Sequence, residues 1–108
     1  MSRRYRRPDK ARTRRLLVRY HKHGDQNARE RVIQEQLPLA EFLARKFAGR
    51  GEPLDDLIQV ASVGLIKAVD RFDVDRKIEF STYATPNILG EIKRYFRDKG
   101  WAVRVPRR

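Results

Sequence analysis

Apolar residues recur at helical spacing in several segments of this chain, and the clearest pattern begins at Leu54 and ends at Phe72. Its members follow the i, i+3/i+4 rule over about five turns: Leu54, Leu57, Ile58, Ala61, Leu65, Ala68, Val69 and Phe72. This pattern predicts an amphipathic helix whose apolar stripe packs into a core. No segment alternates with the period of two that is typical of a strand. We therefore expect an all-α fold, a compact bundle of about four helices.

Capping residues delimit two helices before that one. Asp9 is the expected N-cap of a helix over Lys10–His23, which Gly24 ends. Asp25 is the expected N-cap of a second helix, from about residue 26 to residue 48. The first helix has a short apolar stripe, and the second has a longer one.

Two prolines fall inside predicted helices. Pro38 is expected to kink or break the second helix near Gln34, whose carbonyl loses its partner. Pro86 leaves two alternatives for the last helix. Either Ser81 caps a helix that runs to about residue 99, or Thr85 caps a helix that starts at the proline.

Composition restricts the class of protein. The 108 residues, 40% of them hydrophobic, are enough for one small domain with a core. Cysteine is absent, which excludes disulfide scaffolds and thiolate sites and fits a cytoplasmic protein. No run of residues has the length of a membrane span or the apolar stretch of a signal peptide, so we expect no membrane partner.

The net charge of +12 is concentrated at the two ends of the chain. Residues 1–22 hold ten basic residues and one acidic residue, and residues 93–108 hold seven and one. The segment between them is slightly acidic. Charge of this size and distribution predicts binding to the phosphates of a nucleic acid.

Catalytic and metal chemistry find no support in the residues. His21 and His23 are two positions apart, so a helix directs them to different sides. Asp73 and Asp75 resemble the start of a calcium loop, but Lys77 occupies the next ligand position and no glycine follows. No glycine loop for phosphate and no activated nucleophile is present. We expect no enzyme activity, no metal and no cofactor.

The Leu54–Phe72 helix carries a second apolar set, Val60, Val63 and Ile66, beside Asp56 and Gln59. One interpretation is that the N-terminal helix buries part of this set. The other is a docking face for a partner helix, with an apolar centre and a polar rim. Periodicity alone does not decide between them.

Aromatic residues crowd the last third of the chain, interleaved with basic residues. They are Phe72, Phe80, Tyr83, Tyr95, Phe96 and Trp101. Such rings are usually core, but Phe80 and Tyr83 follow a polar loop and open a helix, which predicts a surface position. Aromatic rings beside cations suit single-stranded nucleic acid, since a base gains ~1–3 kcal/mol by stacking.

Three motifs in order carry a specific resemblance: Asp55–Asp73 (DDLIQVASVGLIKAVDRFD), Phe80–Ala84 (FSTYA) and Ile88–Arg94 (ILGEIKR). Over roughly residues 28–108 the chain resembles domain 2 of the sigma-70 family of bacterial RNA polymerase sigma factors. The resemblance implies a basic arm and helix over residues 1–24 and sigma domain 2 over residues 25–108. The further promoter-reading domains of the family are absent from this chain.

The resemblance implies that the DDLIQ helix docks on a coiled coil of the polymerase β′ subunit. The positions carried over are Asp56, Gln59, Val60, Ser62, Val63 and Ile66. It also implies that the FSTYA segment captures the non-template single strand of the promoter minus-ten element. The pocket for a flipped adenine then comprises Phe72, Arg76, Ile78, Phe80, Thr82 and Tyr83.

Two further sets follow from the resemblance. Gln36 and Leu39 match positions that accept a second flipped base. The last helix meets the upstream duplex edge of the element through Asn87, Lys93, Arg94 and Arg97.

Departures from the family pattern place the chain within a subgroup. Pro86-Asn87 stands where housekeeping factors have paired tryptophans, Gly90 stands where they have a glutamine, and Lys77 replaces a common glycine. Thr85–Arg94 and Gly100–Arg108 resemble the general-stress and sporulation group of alternative sigma factors. The implied location is the bacterial cytoplasm and nucleoid, and an anti-sigma factor is an implied partner. The alternative function is a basic helical architectural protein that binds DNA or RNA.

Overall fold

The structure is a computed structural model that describes residues 7–100. It contains four helices there: α1 (Lys10–His23), α2 (Gln26–Arg45), α3 (Leu54–Arg71) and α4 (Phe80–Asp98). Residues 7–100 include no strand, so the expected all-α bundle of about four helices is confirmed. Two parts of the chain lie outside the described residues. One is the basic start before Arg7. The other is the stretch from Trp101 onward, which belongs to the ending that resembles stress and sporulation factors.

Capping side chains set the starts of α1 and α2 as the sequence predicts. Asp9 Oδ1 accepts a hydrogen bond from the backbone N–H of Ala11 at 3.0 Å. Asp25 Oδ1 accepts one from the backbone N–H of Ala28, also at 3.0 Å. Gly24 ends α1 in the left-handed conformation, with φ of 68°, which glycine adopts without steric cost.

The second helix is continuous past Pro38, where the sequence predicted a kink or a break. It continues through Pro38 to Arg45, and a turn replaces the last few predicted residues. The predicted break is therefore wrong. Proline removes a single donor, while Leu39, Ala40 and Leu43 beyond it are buried and hold the helix on the core.

Of the two alternatives for the last helix, the continuous one is confirmed in extent, because α4 runs through Pro86 to Asp98, but Ser81 is not its cap and the start at Pro86 is wrong. α4 begins at Phe80, and Glu79 is its cap residue without a side-chain capping bond. Pro86 lies inside the helix, and nearby side chains add hydrogen bonds to the backbone of the preceding turn. Thr85 Oγ1 donates to the carbonyl of Ser81 at 2.8 Å.

α3 is the central element, because it packs against both α2 and α4. Its apolar stripe forms the middle of the core, where five side chains are fully buried: Leu57, Ala61, Leu65, Ala68 and Val69. Lys67 and Glu91 form an ion pair between α3 and α4, with Nζ and Oε2 2.8 Å apart. This arrangement fixes the second face of α3 relative to α4.

α1 packs against α2 and more lightly against α4. At its C-terminal end, Tyr20 Oη donates to Asp70 Oδ1 at 2.6 Å. Arg29 donates to both oxygens of the same carboxylate, at 2.7 and 3.1 Å. The hydrogen bonds from Arg29 and Tyr20 hold the pKa of Asp70 below its ordinary value. This cluster joins α1, α2 and α3.

Candidate nucleic-acid interface

The second apolar face of α3 is open to solvent. Val63 is 46% exposed, and it is one of two large apolar side chains exposed within residues 7–100. Val60 and Ile66 beside it are half-buried. The interpretation that α1 covers this face is wrong, since α1 packs mainly on α2 and its side chains bond to α3 only near Val69 and Asp70, at the far end of the helix. An apolar centre is therefore left for a partner.

The polar positions of that face form its rim. Asp56 and Gln59 are exposed, and Ser62 is half-buried. Ser62 Oγ donates to the carbonyl of Ile58 at 2.8 Å, so the hydroxyl donor is already used by a hydrogen bond within α3. The six positions expected to meet the polymerase thus share one accessible surface, which we call the α3 face: Asp56, Gln59, Val60, Ser62, Val63 and Ile66.

Three aromatic rings form a cluster at the start of α4. The centroid of Phe72 lies 5.5 Å from that of Phe80 and 5.6 Å from that of Tyr83, in edge-on contacts. Phe72 and Phe80 are each only 5% exposed, so the expectation of a surface position for Phe80 is wrong. The cause is register: Phe80, Ala84 and Ile88 share the buried side of α4. Tyr83 is half-buried, which leaves part of its ring accessible.

A cavity of about 160 Å³ lies between α1, α2 and the segment that leads into α4. Leu17, Phe72, Ile78 and Phe80 provide its apolar walls. Its other lining residues are polar, cationic or at the start of α1: Arg7, Pro8, Lys10, Thr13, Arg14, Gln36, Glu79 and Ser81. The space is smaller than a typical site for a drug-sized ligand, and it combines apolar walls with positive charge.

Gln36 contributes an unsatisfied acceptor at this cavity. The residue is 4% exposed, and its Nε2 donates to Thr13 Oγ1 at 3.3 Å. Its Oε1 is buried and has no hydrogen-bond partner within the described residues. A buried acceptor left unpaired costs about 1–3 kcal/mol, so a ligand that donates a hydrogen bond there gains affinity. Leu39, expected to act with Gln36, is equally buried but does not line the cavity.

The outer side of α4 carries the exposed residues of the expected duplex contact. Lys93, Arg94 and Arg97 are exposed, and Asn87 is half-buried. Asn87 Nδ2 donates to the carbonyl of Tyr83 at 2.8 Å, so one of its donors is occupied. From Tyr83 to Arg97 the helix rises by about 21 Å, which matches about six base pairs of duplex.

The remaining expected pocket residues lie before and just inside α4. Arg76 and Thr82 are exposed, and Ile78 is half-buried in the cavity wall. The structure therefore brings Phe72, Phe80 and Tyr83 into one cluster, with Ile78 and Gln36 at the adjoining cavity.

Sequence reasoning missed the part that α1 plays in this site. Thr13 and Arg14 line the cavity, and Arg14 Nη2 donates to the carbonyl of Val74 at 2.8 Å. The available signal was the i, i+4 spacing of Lys10 with Arg14, which places both on one side of a helix. Glu79 was missed as well, and its carboxylate lies 3.5 Å from Arg7 and 3.9 Å from Lys10.

Many cations of α1 are therefore engaged within the protein. Arg12 Nη2 lies 2.7 Å from Glu35 Oε2, and Lys22 Nζ lies 3.0 Å from Asp75 Oδ2. The expectation that the basic N-terminal segment contacts phosphate stays a prediction, with fewer unpaired cations than the sequence suggested.

Across residues 7–100, the side chains form no group of three or more histidine or acidic residues able to hold a metal ion. In the same part of the chain, none of the helices combines the length and hydropathy needed to cross a bilayer.

Comparison with known proteins gives a consistent result. The family profile described as Sigma-70 region 2 matches residues 32–102. RNA polymerase sigma factor SigF of Mycobacterium tuberculosis (strain ATCC 25618 / H37Rv) is 55% identical over 83 residues, which cover 77% of this chain and 32% of that protein.

Two further relatives have similar names. RNA polymerase sigma-F factor of Kitasatospora aureofaciens is 48% identical over 83 residues, covering 77% of this chain and 28% of that protein. RNA polymerase sigma-G factor of Bacillus subtilis (strain 168) is 44% identical over 94 residues, covering 87% of this chain and 36% of that protein. The chain thus spans about a third of the length of the curated relatives that it matches.

Proposed function

The chain belongs to the sigma-70 family through its region 2, and on this premise we propose that it is the part of an alternative sigma factor that binds core RNA polymerase and melts the promoter minus-ten element. One observation carries the proposal. The exposed Val63 of the α3 face and the Tyr83 ring that contacts Phe72 lie on different helices, and α3 packs directly on α4. One bundle therefore offers a protein-binding face and a base-binding site in fixed relation.

Polymerase binding is assigned to the α3 face. Val63 supplies an exposed apolar centre, and Asp56 and Gln59 supply an exposed polar rim. An interface of this kind places its apolar anchor where the partner excludes water. The proposed partner element is a coiled coil of the β′ subunit.

Base capture is assigned to the aromatic cluster and the cavity beside it. Phe72 supports the half-buried ring of Tyr83, which is then held in place for an unpaired adenine to stack on it. The other residues assigned to this pocket come just before Tyr83 in the sequence: Arg76, Ile78, Phe80 and Thr82. A second unpaired base enters the cavity, where Gln36 Oε1 accepts a hydrogen bond from it. Leu39 supports that wall from within the core.

The duplex upstream of the captured bases is assigned to the outer side of α4. Lys93, Arg94 and Arg97 contact phosphates, which positions the helix without reading sequence, and Asn87 adds a polar contact. Unpairing a base costs a few kcal/mol, and stacking in the pocket offsets that cost. Melting thereby becomes selective for the bases that fit. The chain acts as an initiation factor and performs no catalytic step.

A basic architectural protein that binds DNA or RNA is the weaker alternative. Such a protein has no need of an exposed apolar centre at Val63 on a helix with acidic residues in its first turn. Membership in the general-stress and sporulation group, a cytoplasmic location and an anti-sigma factor as a further partner are parts of the proposal that rest on the resemblance.

Capture of core RNA polymerase by the immobilised chain tests the proposal. Wild-type protein should retain core polymerase, and Gln59→Ala combined with Ile66→Ala should reduce retention while helicity by circular dichroism stays unchanged. If the double variant retains as much polymerase as wild type, the α3 face is not the polymerase-binding surface. If the variant loses helicity, Ile66 is needed for the packing of the core.

A further inference from the structure

Arg14 makes a hydrogen bond from α1 to the backbone of the segment that precedes α4. Its Nη2 donates to the carbonyl of Val74 at 2.8 Å in a partly buried bond, although the arginine side chain as a whole is exposed, like that of Arg15. The Val74 side chain is 4% exposed and belongs to the core. The bond therefore fixes a backbone group whose own side chain is already anchored.

Val74 sits in a tight turn between the aromatic residues assigned to base capture. Asp73 Oδ1 accepts from the backbone N–H of Asp75 at 2.9 Å, and Asp73 O accepts from the N–H of Arg76 at 3.2 Å. Phe72 precedes this turn directly, and Ile78 follows it. A shift of the turn therefore changes the distance between two walls of the cavity.

Other contacts between α1 and this segment are weaker anchors. Lys22 and Asp75 form an ion pair with a distance of 3.0 Å, but their side chains are 47% and 72% exposed. Lys10 and Glu79 are 3.9 Å apart, and the lysine is 69% exposed. Ion pairs in water contribute little, because solvent screens them and ordering two long side chains opposes them. Arg14 bonds to an uncharged carbonyl in a more protected place, and charge-assisted bonds of this type are stronger.

We propose that Arg14 is a positioning residue for base capture: by holding the Val74 carbonyl, it orders the turn that sets the relative position of Phe72 and Ile78, which both line the cavity. The inference rests on the proposed function, in that it concerns the same base-binding site. It assigns to α1 a role inside the site, which differs from a phosphate contact by the basic N-terminal segment.

Arg15 provides a matched control. It is the next residue on α1 and carries the same charge, and its exposed side chain makes no hydrogen bond or ion pair with the residues that the structure describes. A phosphate-binding role predicts similar losses for Arg14→Met and Arg15→Met, because each removes one positive charge. A positioning role predicts a selective loss for Arg14→Met.

The experiment uses the complex of core RNA polymerase with this chain. A fluorescent single-stranded non-template oligonucleotide, selected by the wild-type complex from a random pool, is titrated beside the same oligonucleotide with an abasic site at its best-selected adenine. The measured quantity is the ratio of the two dissociation constants, which cancels sequence-independent phosphate binding. Hydrogen exchange of residues 72–80 is recorded in the same complexes.

Arg14→Met should lower this ratio roughly tenfold, equivalent to about 1.4 kcal/mol, and speed exchange in residues 72–80. Arg15→Met should change neither. Arg14→Lys, which keeps a donor, should recover most of the ratio, whereas Arg14→Gln should not. Equal ratios and equal exchange for Arg14→Met and Arg15→Met overturn the inference.

Two other outcomes also support or overturn a role for Arg14 or for the site. If Arg14→Met loses helicity, the Arg14→Lys and Arg14→Gln pair is compared instead, and equal behaviour of the two overturns the inference. If the wild-type complex does not distinguish adenine from an abasic site, the proposed function fails at this site. In that event the exchange rates alone support or overturn the ordering role of Arg14.

Discussion

A Cβ atom added to Gly64 would lie 2.8 Å from the Cα atom of Ile88, so α3 and α4 approach each other more closely here than any larger residue permits. The same Cβ would lie 3.2 Å from the carbonyl oxygen of Asn87. These neighbours are backbone atoms and cannot rotate away. The close approach couples the α3 face to the helix that carries Tyr83.

Gly64→Ala should destabilise the protein by about 1–3 kcal/mol, because the added methyl group forces the two helices apart. The measurement is urea unfolding followed by circular dichroism. Gly90→Ala is the control: it is also inside a helix, but its added Cβ meets nothing within 4 Å. That control should be neutral or stabilising by up to about 1 kcal/mol, since alanine favours helix. Equal effects of the two substitutions contradict the close approach.

The Asp70 cluster predicts a pH-dependent contribution to stability. Arg29 and Tyr20 lower the pKa of Asp70, so its stabilising effect is complete above the unfolded-state pKa of about 3.9 and is lost as pH falls through the folded-state pKa. At pH 7 the free energy of unfolding of wild type should be about 1 kcal/mol higher than that of Asp70→Asn. The difference is modest because the Arg29–Asp70 ion pair is partly exposed.

Urea midpoints measured from pH 7 down to pH 2 check this prediction, and the difference should disappear toward the acid end. Glu30→Gln removes an exposed carboxylate on α2 and should change stability by less than about 0.5 kcal/mol. A difference between wild type and Asp70→Asn that does not vary with pH contradicts the ionic role of the cluster.

Val63→Ala should weaken binding to core RNA polymerase by about 1–2 kcal/mol without loss of helicity, because it truncates the exposed centre of the α3 face. Titration of core polymerase with labelled chain gives the affinity. Phe42→Ala removes the other exposed large apolar side chain of residues 7–100, on a different helix, and should leave the affinity unchanged. The assignment of the α3 face fails if Phe42→Ala weakens binding and Val63→Ala does not.

The exposed cations on the outer side of α4, Lys93, Arg94 and Arg97, predict the salt dependence of duplex binding. Lys93→Gln combined with Arg97→Gln should reduce the slope of log affinity against log salt by roughly 0.9 for each lost phosphate contact. Arg12→Gln is the comparison, since this arginine is paired with Glu35 and should change the slope less. Fluorescence anisotropy over a range of salt concentrations supplies the slopes. Equal slopes for wild type and the double variant would show that Lys93 and Arg97 do not contact the phosphates of the duplex.

The bounds of α1 and the start of α2 could be predicted because they have a local cause. Asp9, Gly24 and Asp25 cap or end helices through bonds to residues close in sequence. Prediction was weaker where tertiary packing decides. Pro38 did not break α2, and α4 begins at Phe80 without a side-chain cap, because burial of one side of each helix outweighs the local signal.

The candidate site was predictable only in part, for the same reason. Periodicity predicted a second apolar stripe on α3 but left open whether α1 buries it, and only the packing of α1 against α2 shows that the stripe is exposed. The burial of Phe80 and the contacts of Arg14 with Val74 and of Thr13 with Gln36 join residues distant in sequence. Residue spacing carries no record of such contacts.

The central claim is that Tyr83 stacks an unpaired base, and promoter opening by Tyr83 variants tests it most directly. The assay follows the fluorescence of an adenine analogue at the second position of a minus-ten element, using holoenzyme assembled with a full-length factor that carries each substitution. At equal polymerase occupancy, Tyr83→Ala should lower the open-complex population roughly ten- to hundredfold, because stacking contributes ~1–3 kcal/mol. Tyr83→Phe keeps the ring against Phe72 and should keep most of the opening. Equal opening by wild type and Tyr83→Ala contradicts the claim and leaves Tyr83 as a packing residue beside Phe72.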